Sequence, residues 1–160
     1  MEPKKQTTIP AEGKEDILND QRTDMEAEVK VDKPKYNKDE LLAIFDELIF
    51  SGEYREDLTI KGRLKVTFKT RTAEETSEIT QAMDAKAFSL ISSVQEFRAL
   101  QNLSYSLVRY NGKDIGTSTK EERLKFIGKL PAVMVGALSE ALVDFDAKTD
   151  AACREGEQNF

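Results

Sequence analysis

Between Tyr54 and Phe68 the chain adopts a two-residue alternation: Tyr54, Leu58, Ile60, Leu64, Val66 and Phe68 share one parity, and Arg63, Lys65, Thr67 and Lys69 lie between or beside the later three. With Gly62 at its centre, this pattern predicts a β-hairpin over about 54–70 that has one wet face. A lone hairpin is marginal in water until something covers its apolar side. The flanking sequence must supply that cover, and its periodicity is helical, so the expected fold class is α+β: a predominantly helical domain with one β-hairpin. The register also follows from parity. A two-residue loop would set Ile60 beside Arg63, whereas a three-residue loop, 61–63, pairs Ile60 with Leu64 and Leu58 with Val66.

Before the hairpin, Asn37 can cap a helix over about 38–50 in which Leu41, Leu42, Phe45, Leu48 and Ile49 form one apolar face, and Gly52 follows where a left-handed terminator is wanted. After it, Thr72-Ala73-Glu74-Glu75 has the form of a capping box and starts a helix running to about Met83. From Ala85 to Tyr110 neither proline nor glycine occurs, and Phe88, Leu90, Ile91, Val94, Phe97, Leu100, Leu103, Leu107 and Val108 recur at helical spacing, which predicts a long central helix. Asn111–Gly116 reads as a turn or loop. A second capping box, Thr119-Lys120-Glu121-Glu122, opens a short helix ending near Gly128. Pro131 then suits the first turn of a final helix that is expected to fray near Ala151.

Residues 1–36 differ in kind. They carry seven basic and nine acidic side chains, no Phe, and scattered apolar residues such as Ile9, Ile17, Leu18, Met25, Val29 and Val31. Too little apolar surface is available there to offset roughly 1–2 kcal/mol of backbone entropy per residue, so a disordered N-terminal arm, or one ordered by a partner, is expected. A weak helical stretch is conceivable around 15–29. Residues 37–160 are expected to form a single α+β domain with a frayed C-terminal tail.

The chain of 160 residues has no histidine and one cysteine, Cys153, which excludes a histidine general base, a Ser-His-Asp or Cys-His nucleophile, a zinc finger and an internal disulfide. The expectation is a non-enzyme without cofactor or metal. A net charge of −6 disfavours capture by nucleic-acid phosphates or anionic lipid, and makes protein the expected partner, with a homo-oligomer also compatible. No apolar run reaches the ~20 residues of a bilayer span, and the polar N-terminus lacks a signal-peptide core, so a cytosolic site of action is expected.

Motifs that suggest chemistry have simpler structural readings. Gly112-Lys113-Asp114-Ile115-Gly116 lacks the spacing of a phosphate loop. Asp144, Asp146 and Asp150 with Glu155 mimic part of a calcium loop, but Thr149 stands where the glycine is required. Glu74 and Glu75 are explained by the helix start. Lys61, Arg63, Lys65, Lys69 and Arg71 form a basic group, yet no aromatic interleaves on their face as single-strand binding would want.

The order of these elements resembles a family from tailed bacteriophages, the small tail assembly chaperones and the related baseplate-hub assembly proteins. The resemblance is carried by Leu64-Lys65-Val66-Thr67-Phe68-Lys69-Thr70-Arg71-Thr72-Ala73-Glu74-Glu75, by Leu107-Val108-Arg109-Tyr110-Asn111-Gly112, and by Phe145 with the closing Glu157-Gln158-Asn159-Phe160. It covers roughly residues 54–160, and the arm lies outside the pattern. It implies a non-enzymatic morphogenesis protein, acting in the host cytoplasm on apolar helical segments of a tail component such as the tape-measure protein. The alternative is a virion structural protein of tail, neck or baseplate whose arm orders against neighbouring subunits. Tyr105, Tyr110, Phe145 and Phe160 are the expected partner-binding residues.

Overall fold

The computed structural model describes residues 36–159. Nine elements follow in order: α1 (Lys38–Ser51), β1 (Arg55–Ile60), β2 (Leu64–Lys69), α2 (Ala73–Asp84), α3 (Ile91–Ser106), β3 (Leu107–Tyr110), β4 (Lys113–Asp114), α4 (Lys120–Gly128) and α5 (Ala132–Glu157). The fold is α+β and mostly helical, with an antiparallel sheet in the order β1-β2-β3-β4. Of the expected arm only Tyr36 is described; the weak helix around 15–29 and Phe160 lie outside the described residues.

Local sequence signals set the first half. Asn37 accepts from the Asp39 amide at 3.0 Å, and Gly52 closes α1 at φ 71°. The β1–β2 hairpin has the three-residue loop, pairing Ile60 with Leu64 and Leu58 with Val66. Both capping boxes form: Glu75 and Glu122 amides each donate to their threonine at 3.2 Å, and the glutamates accept from the threonine amides at 2.9 Å.

The helix expected over 85–110 is shorter at both ends. Residues 85–90 form an irregular link in which Phe88 folds back on Phe97, ring centroids 5.5 Å apart, while Lys86 Nζ lies 4.2 Å from the Phe97 centroid. At the other end Leu107–Tyr110 leaves the helix to become β3. The Asn111-Gly112 pair that follows takes φ 48° and 79°, both positive, as a two-residue hairpin turn between antiparallel strands demands. Helical spacing cannot register this, because the residue that decides it lies 46 positions upstream: the Asn111 amide donates to the Lys65 carbonyl at 2.7 Å, and the Lys65 amide donates to Asn111 Oδ1 at 3.1 Å. The second hairpin therefore enlarges the sheet beyond the one expected. A register shift at Phe68 leaves Val108 as the extra residue of β3, and its carbonyl accepts the amides of Ile115 and Gly116.

The core lies between one sheet face and the helices. Leu64, Val66 and Phe68 of β2 meet Leu103 and Leu107, Ile127 of α4, and Leu138, Leu142 and Phe145 of α5. A smaller cluster joins Leu41 and Ile44 of α1 to Ala152 of α5. That second cluster corrects the expected fraying at Ala151. Helix α5 continues to Glu157 because α1 packs along its last turns, with Lys38 and Glu155 in an ion pair at 2.8 Å.

Candidate partner-binding surface

Helix α3 is two helices in terms of burial. Gln101 and Leu103–Ser106 are buried, whereas none of residues 91–100 is. Its antiparallel neighbour α2 buries only Ile79. The distal half of this helical hairpin, away from the sheet, keeps the apolar pattern of a core helix but is only partly covered among the described residues. Leu90 is 65% and Ile91 80% exposed, and Met83, Val94 and the Phe88–Phe97 pair are only half-buried. Burying a side chain of this kind yields about 1.5–3 kcal/mol, so the exposed pair alone represents several kcal/mol available to an apolar partner. Phe50, 86% exposed at the end of α1, Ile49 beside it, and Val133 and Val143 on α5 are further exposed apolar side chains.

The residues expected to bind a partner fall elsewhere. Phe145 is 2% exposed, stacked on Tyr54 at 5.8 Å and tilted against Phe68 at 5.9 Å. It fills the core and presents no surface. Tyr105, 4% exposed, donates its hydroxyl to Glu78, and Lys120 Nζ stands 4.8 Å from its ring centroid. Burial, then the Glu78 hydrogen bond and charge, push that phenol well above its ordinary range. Tyr110 is half-buried, edge-on to Phe126 at 5.4 Å. Phe145 and Tyr105 are thus enclosed by internal packing, Tyr110 keeps part of its ring at the surface, and the structure does not bring the three together. The surface that is exposed instead, Leu90 and Ile91, belongs to the apolar pattern that predicts the long central helix. Apolar periodicity shows which face of a helix is greasy but not whether anything covers it.

Several charged groups are engaged with one another. Lys148 spans Glu40 and Glu56 at 2.6 and 2.8 Å. Burial pulls its ammonium pKa down, but the two carboxylates outweigh that and raise it above the ordinary lysine value. Arg71 donates to Ser106 Oγ at 2.6 Å and Asp146 Oδ2 at 2.7 Å, and Lys69 reaches Glu75 at 2.7 Å, so two members of the basic group are neutralised. Lys61, Arg63 and Lys65 remain exposed around the first hairpin loop. Asp144, Asp146, Asp150 and Glu155 all sit on α5 itself instead of in a loop, and among the described residues no group of three or more His, Cys, Asp or Glu is placed to hold a metal. Gly112–Gly116 belongs to the second hairpin and its exit. Burial, with Asp150 and Glu157 nearby, pushes the half-buried Cys153 thiol up, which disfavours the reactive thiolate.

Compared with known proteins, the chain matches no family model, no curated protein and no solved structure. No helix among the described residues is long and apolar enough to cross a membrane.

Proposed function

We propose that this chain is a non-enzymatic morphogenesis protein of a tailed bacteriophage, and that it binds apolar helical segments of a tail component such as the tape-measure protein through the distal half of the α2–α3 hairpin. The observation that carries the reading is the division of α3: Gln101 and Leu103–Ser106 are buried, whereas Ile91 is exposed and Val94 and Phe97 are only half-buried. An amphipathic helix docks on such a surface through anchors three and four residues apart, and Ile91, Val94 and the following turn offer matching spacing. The resemblance supports the same reading: its first stretch, Leu64–Glu75, becomes β2 and the capped start of α2, and its second, Leu107–Gly112, becomes β3 and its turn. Both stretches frame the helical hairpin.

The contact is mainly apolar, so the complex should survive raised salt, unlike one held by phosphate contacts. Co-purification with the tape-measure protein at low and high ionic strength, together with mass spectrometry of mature particles, tests this. A salt-tolerant complex and absence from particles are expected. Recovery at fixed copy number in particles, without such a complex, assigns the chain to the virion structure instead.

A further inference from the structure

Strand β1 is an edge of the sheet among the described residues, and α5 runs beside it, leaving a groove of about 380 Å³ between them. The floor is apolar, formed by Leu58 and Ile60 of β1 and by Ala137 and Ala141, whose small side chains keep the helix wall low. Above it three carboxylates, Glu56, Glu140 and Asp144, face two ammonium groups, Lys61 at the hairpin loop and Lys148, which is already engaged by Glu40 and Glu56, so the balance is acidic. Glu140 stands on the α5 wall, and Glu56 enters from β1. One oxygen of Glu56 holds Lys148, but the other, Oε2, is buried without a hydrogen-bond partner. A buried carboxylate oxygen left unmatched is costly and is satisfied best by a charged donor.

An edge strand offers unpaired amides and carbonyls to an incoming strand, and alternate side chains of that strand then face the groove. We propose that this groove takes an extended, basic segment of a partner protein as a fifth strand on β1. A lysine or arginine of the segment meets Glu56 and Glu140, and small aliphatic residues two positions away lie on Leu58 and Ile60. The surface is separate from the α2–α3 hairpin, so the two proposals stand or fall independently.

The probe is a blocked peptide whose alternate positions carry one lysine and two valines, Lys-Ser-Val-Ser-Val, so that all three share one face of the strand, compared with its glutamate counterpart Glu-Ser-Val-Ser-Val, each added to the full-length protein. Fluorescence anisotropy gives affinity, and amide exchange locates the contact. The lysine peptide should bind, slow the outward-facing amides of residues 55–60, and lose about tenfold or more in affinity in Glu140→Lys, an exposed helical position that leaves the fold intact. Glu56→Gln should weaken it as well. Equal binding of the glutamate peptide, or indifference to Glu140→Lys, overturns the proposal. Outward amides of β1 already protected in the free protein at low concentration would assign the groove to the chain itself, and protection that grows with protein concentration would assign it to a second copy. Either result also overturns the proposal.

Discussion

Gly156, near the end of α5, lies directly against the ring of Phe45 on α1, and a methyl group at position 156 would overlap that ring. This contact lets the two helices approach closely enough to bury Leu41, Ile44 and Ala152. Glycine inside a helix normally costs about 0.5–1 kcal/mol relative to alanine, so only the space constraint explains its place here. Gly156→Ala should therefore destabilise the protein by about 1–3 kcal/mol, the range for overpacking. Gly136, in the same helix, has open space where its Cβ would be, and Gly136→Ala should stabilise by a few tenths to about 1 kcal/mol. Urea unfolding of the two variants checks the pair. Equal signs would contradict the close α1–α5 packing.

The two phenylalanines Phe145 and Phe97 separate the core from the exposed hairpin. Phe145→Ala should cost about 3–5 kcal/mol, because its ring is enclosed by Tyr54, Phe68 and the surrounding aliphatic residues. Phe97→Ala, which loses contact with Phe88 and Lys86 on a half-open face, should cost nearer 1 kcal/mol. Similar costs in equilibrium denaturation would mean that the distal half of α3 is packed as tightly as the core.

Alkaline pH should weaken the fold. Lys148 and Tyr105 both have folded-state pKa values raised above their unfolded values of about 10.4 and 10. The folded state thus holds each proton more tightly. The stability linked to these groups is fully present below pH about 10 and is lost as pH rises from there through the raised folded values. Urea midpoints should be flat between pH 6 and 8, begin to fall above about pH 8.5 as Cys153 ionises more readily in the unfolded chain, and fall further above pH 10, and Tyr105→Phe should make the fall above pH 10 shallower. An unchanged slope in the variant would mean that the phenol is not held protonated by its buried contact with Glu78.

Signals within a few residues made much of the fold legible in the sequence. The parity of Ile60, Leu64 and Val66 gave the hairpin register, and the two threonine–glutamate pairs gave the helix starts. What escaped depended on distant neighbours. Leu107 and Val108 continue a helical pattern from Leu103, and only pairing with β2 makes them a strand. The end of α5 depends on α1, more than a hundred residues earlier. The Asn111-Gly112 pair is the one local sign of the second hairpin, and without a strand before it the same pair is equally a loop signal. The candidate surface was half legible: Leu90, Ile91 and Phe97 were seen as apolar, but their exposure depends on where α3 leaves the core.

On the proposed function, Leu90, Ile91 and the residues beside them shelter apolar helices. The most direct measurement is the soluble fraction of the tape-measure protein when it is co-expressed with this chain, wild type or carrying Leu90→Asp and Ile91→Asp. Both side chains are exposed, so the double variant should keep the wild-type thermal midpoint. The wild-type chain should keep the partner soluble, at low and high salt alike, and the variant, though folded, should let it precipitate. A partner equally soluble with the folded variant, or insoluble with both, would contradict the proposed function.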